Sequence, residues 1–243
     1  MSEIPTLLDW TGNLWQGLGL TVLLTTLGAL LMLLLSVVLG LASRSHRTWL
    51  RGGARVVIEF FRGTSLLVQL WWLFYALPLL GIRFDPLLVG VVALGLNYGA
   101  YGSEVVRGSL NAVPATQWEA ATALSFSPWQ RLRRVVWPQA VVLMIPPFNN
   151  LLIQLLKSTP LVFSISLLDL TAMGEAFRNA GGETLAIYGV LLAIYLALAY
   201  AMTFCLNVLE AAVKARLGRG DGWREALWVR PGAASTPGAE VTV

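Results

Sequence analysis

Uncharged apolar runs decide what this chain can fold into. A helix rises about 1.5 Å per residue, so a hydrocarbon core about 30 Å thick is crossed by roughly 20 apolar residues. Five runs have about that length, at residues 18–42, 64–80, 86–103, 135–156 and 184–209. A sixth, 158–168, is too short to cross and reads as a partly buried or interfacial helix. With 56% hydrophobic and only 12% charged residues, the 243-residue chain also lacks the polar surface that would enclose a soluble core. Continuous Leu/Val/Ala runs do not alternate as strands of a membrane barrel must. The expected fold class is therefore all-α, a polytopic membrane protein with about five transmembrane helices.

The first run is too long for a signal-peptide core, and Glu3 and Asp9 precede it without any Lys or Arg, so it is expected to stay as a span. Cys205 is the one cysteine and has no internal partner; a small buried hydrophobe is the expected role. Lys and Arg near span ends are retained on the cytoplasmic side. Most of the 17 basic residues follow span one (Arg44, Arg47, Arg51, Arg55), precede span four (Arg131, Arg133, Arg134) or follow span five (Lys214, Arg216, Arg219, Arg224, Arg230). Arg83, Lys157 and Arg178 fall in the opposite loops. The expected topology has the N-terminus outside and the C-terminus in the cytoplasm. The sequence pI near 9.6 then reports orientation, and no nucleic-acid partner is expected. Residues 1–217 read as one transmembrane domain, and 218–243, ending in Gly, Pro and Ser, as a flexible cytoplasmic tail. No internal repeat of a span pair is visible, which argues against a secondary transporter built of matched halves.

Helix breakers interrupt the spans: "ALPLLG" closes the second, "GLNYGAYGSE" spaces glycines through the third, and Pro146 and Pro147 lie within the fourth. The glycines fit close helix packing or a pore lining equally well. One polar insert, residues 112–138, separates spans three and four on the expected cytoplasmic side. Pro114 marks a helix start there, Thr116 and Glu119 stand at capping-box spacing, and Ser127 can cap a second helix that begins with Pro128. Two short helices at an angle are expected, with Ala120, Ala121 and Leu124 on one face, as a docking surface or a packed loop.

The register Glu119-Ala120-Ala121, three residues, Ser125, nine residues, Val135, one residue, Trp137-Pro138 resembles the Glu-Ala-Ala loop of the membrane subunits of ATP-binding cassette (ABC) importers. That family pattern has Gly, Ile and Leu where this chain has Ser125, Val135 and Trp137. "EFFRGTSLLVQL", "NYGAYGSEVVRGSLNAVPATQWEAA" and "LLKSTPLVFSISLLDLT" are similar to the polar amino-acid uptake group, with Ser65 where the group has proline. The run "LPLLGIRFDPLLVGVVALGLNYGAYGSEVVRG" is most similar to permeases for ectoine and hydroxyectoine.

The resemblance implies a type I ABC importer permease in the cytoplasmic (inner) membrane. Two such subunits, homo- or heterodimeric, would form the pathway. Two ATP-binding cassette ATPase subunits would close on ATP, and an extracytoplasmic solute-binding protein would deliver solute. The insert would couple the motor to the spans, through Glu119, Ala120, Ala121, Leu124 and Ser125. Glu119 either pairs with a cation on the ATPase or only caps its own helix. The chain holds no Gly-x4-Gly-Lys-[Ser/Thr] phosphate loop, so it is expected to be no enzyme, with no catalytic residue and no cofactor of its own.

For the solute, Asn97, Tyr101 and Glu104 recur at i, i+4 and i+7 on one face of span three, a face that suits a zwitterion. Glu104 with Arg107, and Glu59 with Arg62, also stand at i, i+3, so structural ion pairs compete with solute contact. Lys157, Ser158 and Thr159 follow span four and either line the outer pathway or, for Lys157, snorkel to the interface. No metal-ligand pattern surrounds His46, which is expected to be solvated. A secondary transporter or a non-transporting scaffold subunit is the alternative. Convergent titratable residues that an embedded enzyme would need are not found.

Overall fold

The computed structural model describes residues 7–216. The expected tail at 218–243, like residues 1–6, lies outside the described residues. Every regular element among the described residues is helical. The described residues form nine α-helices, in order α1 (Leu7–Ala42), α2 (Thr48–Gly63), α3 (Leu66–Trp71), α4 (Pro86–Ala112), α5 (Ala115–Ala123), α6 (Pro128–Gln130), α7 (Trp137–Ser158), α8 (Leu170–Asn179) and α9 (Thr184–Arg216).

Helix α4 is the central element. Asp85 caps it by accepting from the Leu87 N–H at 2.9 Å, Pro86 opens its first turn, and Pro114 forces Val113 into an extended conformation that ends it. Its small residues let α1 lie directly on it. A Cβ built on Gly95 would meet the Leu31 side chain at 2.5–2.8 Å, and one on Gly99 would meet Leu35 Cβ at 2.8 Å. Gly95 and Gly99 thus form a close-packing seam, which decides between the two roles open to these glycines in favour of packing.

Three apolar clusters follow the long axis. Leu24, Met32, Leu94, Leu155 and Ile165 belong to the middle one; Val106, Leu110, Val136 and Met144 to the one at the α5 end; Leu170, Ile187 and Leu191 to the one at the far end. Outward faces are equally apolar: Leu192 is 72% exposed and Leu34 is 61% exposed. A bilayer is the solvent that such a surface fits.

Three described stretches are long and apolar enough to cross a membrane, Leu14–Ala42, Pro128–Ile165 and Thr184–Ala212. Helix α4, though 27 residues long, is not among them, because Asn97, its glycines and the Glu104–Arg107 pair lower its hydropathy. The expected span at 64–80 is not one straight helix. It is α3, a π-helical turn (Trp72–Ala76) and a 3-10 turn (Leu77–Leu80), and its axis lies 104° from that of α2. The bend falls at Thr64 and Ser65, both extended, and the Thr64 hydroxyl closes the end of α2 by donating to the Phe60 carbonyl at 2.8 Å.

The 158–168 segment is a 3-10 helix (Thr159–Ile165) with Val162 and Ile165 fully buried in the middle cluster and Phe163 half-exposed, which agrees with the partly buried of its two readings. One further expectation changes. Cys205 is exposed on α9, most of whose surface faces outward, so the thiol is not a core residue.

Candidate functional site

The polar insert folds as a corner. Helix α5 ends in a Schellman motif: the Phe126 N–H donates to the Ala121 carbonyl at 3.1 Å and the Ser125 N–H to the Thr122 carbonyl at 2.9 Å. That motif needs its C′ residue in the left-handed region, and Ser125 sits there with φ 56°. The position is the one where the resembling pattern carries glycine, so the pattern's glycine has a backbone reason and Ser125 occupies it at a cost. Ser125→Gly is expected to raise stability by up to about 1 kcal/mol, because a Cβ in the left-handed region is disfavoured. A higher apparent Tm of the purified protein would show it; Ser125→Val should lower Tm, since a β-branched residue tolerates this conformation worst.

The second helix begins as expected. Ser127 accepts from the Gln130 N–H at 3.3 Å, the Gln130 Oε1 accepts from the Ser127 N–H at 2.9 Å, and Pro128 takes the first helical position. It is not a separate short helix, however. Pro128–Gln130 runs through a π-helical turn (Arg131–Val136) straight into α7. Pro138 explains the widening, because it offers no N–H to the Arg134 carbonyl, and the Trp137 N–H bonds instead to the Leu132 carbonyl, five residues back. The same wide turn precedes Pro78, where the Leu77 N–H reaches the Trp72 carbonyl.

On α5 itself the expected capping box is absent. Pro114 is the N-cap, Thr116 lies inside the first turn, and no side chain caps the helix. Glu119, Ala120 and Leu124 are exposed, Leu124 at 69%. Ala121 is not part of that face: it is turned inward and 2% exposed. The exposed surface is therefore Glu119, Ala120 and Leu124, with Ser125 beside them at the corner. Sequence reading missed what holds α5 down. Trp118 packs into the cluster of Val106, Leu110, Val136 and Met144, and the Arg44 guanidinium lies 5.8 Å from the centre of its ring. Burial, and then the nearby Arg107, hold Arg44 below the usual arginine range.

The second polar constellation is on α4. Asn97 is buried and donates to the Phe61 carbonyl at 3.0 Å; the Tyr101 hydroxyl donates to the Arg62 carbonyl at 3.2 Å. Gln69 on α3 donates to the same Phe61 carbonyl at 3.0 Å and to the Thr64 hydroxyl at 2.7 Å. These bonds satisfy carbonyls at the end of α2 that the helix itself leaves open, which apolar surroundings require. The i, i+4 spacing of Asn97 and Tyr101 thus matches the successive carbonyls of Phe61 and Arg62. Asn97 is engaged there and does not face open space.

Beside this cap lies a charged cluster. Arg107 pairs with Glu104, its Nε at 3.0 Å from Oε2; Arg62 lies 3.4 Å from Glu59 and its guanidinium 5.5 Å from the Tyr101 ring centre. Glu59 is 73% exposed, and Tyr101 is exposed as well. The expected trio after span four does not converge with this cluster. Lys157 is exposed in the last turn of α7; Ser158 shares a 2.6 Å hydrogen bond with the Tyr98 hydroxyl. Thr159 is fully buried with its hydroxyl on the Leu156 carbonyl at 2.8 Å, so it lines no passage in this structure.

A third polar group was not anticipated. Asp169, fully buried, caps α8 by accepting from the Ala172 N–H at 2.9 Å and accepts from the Tyr195 hydroxyl at 3.2 Å. Thr21 on α1 accepts from the Leu170 N–H at 3.1 Å, so α1 and α9 both hydrogen-bond to the start of α8. An acid directly before a helical run was the available signal.

Residues 32–219 match the family model described as binding-protein-dependent transport system inner membrane component. The chain is 42% identical over 211 residues to a probable amino-acid ABC transporter permease, y4tF, of Sinorhizobium fredii, covering 84% of this chain and 89% of that one. It is 34% identical over 206 residues to the L-cystine transport system permease TcyB of Bacillus subtilis, covering 84% and 86%. Among solved structures, one described as an amino acid ABC transporter with histidines superposes with a TM-score of 0.79 at 28% identity, covering 86% of this chain and 98% of that one.

Proposed function

Because the chain belongs to the binding-protein-dependent transport inner membrane component family, we propose that it is the membrane subunit through which an ATP-driven importer passes a polar amino acid or an amino-acid-derived compatible solute. The amino-acid class follows the names of its relatives, and ectoine and hydroxyectoine are proposed as derived solutes from the resemblance of residues 77–108 alone. The observation that carries the reading is α5: an exposed Glu119, Ala120 and Leu124 held at a rigid corner whose far arm runs without a break into a membrane-length helix. Such a corner transmits a push. Closure of two ATPase partner subunits on α5 is relayed to α4 and α7, and alternating access follows from their movement.

Five crossings are assigned to α1, the α2–α3 pair, α4, α7 and α9, with the α5 end in the cytoplasm, the side where the basic residues collect. Glu59, Arg62, Tyr101, Glu104 and Arg107 then stand at or near membrane depth with Glu59 and Tyr101 uncovered. Exposure to lipid there is costly, so a second membrane subunit and a hydrated passage cover them. An extracytoplasmic binding protein loads that passage.

The test is reconstitution of the chain with its ATPase and binding protein in liposomes, with labelled glutamine, cystine and ectoine offered in turn. ATP-dependent accumulation of one of these that needs the binding protein supports the reading. Uptake driven by an ion gradient without the ATPase would make the chain a secondary transporter.

A further inference from the structure

Trp118 and the end of α1 are joined by one side chain. Arg44, just past α1, donates from its guanidinium to Asn111 Oδ1 in the last turn of α4, while the same group stands over the Trp118 ring of α5. Among the described residues no carboxylate lies within ion-pair distance of Arg44; the other cation nearby, Arg107, is paired with Glu104. Its charge is met by an amide oxygen and an aromatic face, partners that fix the direction of a planar guanidinium in a way that a surface ion pair does not. The end of α1 has little play on α4, because a Cβ on Gly40 would meet the Val106 side chain at 2.8–2.9 Å and the Ser103 carbonyl at 3.0 Å.

We propose that Arg44 is a positioning residue that ties α5 to the α1–α4 pair, so that a push on α5 carries α1 with it. The proposal rests on the importer reading above. Without Arg44, α5 is still rooted through Trp118 on the apolar cluster that Val37 and Leu41 of α1 also join, but among the described residues no directional polar contact ties it to α1, and the push is spent in tilting the short helix.

The experiment compares Arg44→Met, which keeps length and removes charge, with Arg44→Lys, which keeps charge and removes the fork. In the complete transporter in liposomes, R44M should lower the solute moved per ATP hydrolysed several-fold while hydrolysis persists, and R44K should recover part of the ratio. Trp118→Phe should keep the ratio and Trp118→Leu lower it, which serves if R44M fails to assemble. An unchanged ratio in assembled R44M overturns the proposal. Independently of transport, nitroxides on His46→Cys and Thr116→Cys in a Cys205→Ser background should show a narrow distance distribution that broadens in R44M. Equal widths overturn it too. A wild-type complex without ATP-driven uptake sinks the importer reading instead, and the nitroxide distances then decide the tie alone.

Discussion

Glu119→Lys should abolish solute uptake while leaving the subunit folded in the membrane. Glu119 is exposed on α5 and caps nothing, so its reversal removes no contact on which the fold depends. In the proposed assembly it faces the ATPase. Reversing one partner of a desolvated charge pair costs about 2–5 kcal/mol, and each 1.4 kcal/mol or so is tenfold in affinity, so a loss of at least about tenfold in subunit association is expected. Co-purification of the ATPase with the tagged subunit measures it. Deleting residues 119–125 should have the same effect with an added loss of stability, because the deletion also removes Ala121 and the Schellman turn. Intact uptake in either variant would end the coupling role of α5.

Gly95→Val should produce the largest loss of stability. Even the Cβ would lie 2.5–2.8 Å from three atoms of Leu31, the nearest to the backbone being Leu31 Cβ, so relief requires α1 to move away from α4. Overpacking of this kind costs about 1–3 kcal/mol for one or two added carbons, and valine adds three. Since α1 on α4 is the most extensive helix pairing of the fold, the separation would open the middle cluster along Leu24, Met32 and Leu94. Thermal unfolding in detergent reads the effect as a Tm lower by several degrees. Gly189→Ala, where a Cβ meets nothing within 4 Å, is the control and should be neutral or stabilising by up to about 1 kcal/mol. A Gly95→Val protein as stable as the wild type would mean that α1 and α4 do not pack as described.

How much of this was legible in the residues depends on range. Long apolar runs marked α1, α7 and α9, and a local cap marked the start of α6, because each of those signals is contained in one continuous segment of the chain. The bend at Thr64 and Ser65 was not legible. It is stabilised from a distance by Asn97 and Gln69, and the apolar composition of 64–80 is the same whether the segment runs straight or turns. Periodicity placed Asn97, Tyr101 and Glu104 on one face correctly, yet could not say that two carbonyls of α2 would occupy that face first. Arg44 and Trp118 were missed for the same reason: a cation over a ring is a long-range pairing with no motif at either end.

The π-helical turn at Arg131–Val136 has one more consequence. A wide turn holds one residue more than an α-turn, so everything beyond it is rotated by about 100° relative to an unbroken helix. The face that α7 shows to α4 and α9 is thereby set in this one turn. A ratchet tooth is an apt comparison: tightening the turn to α geometry would rotate the whole membrane-crossing arm by one step without moving its ends far. In the proposed assembly, the corner that the ATPase would touch and the arm within the bundle are thus separated by a loosely wound segment able to convert a push into a twist.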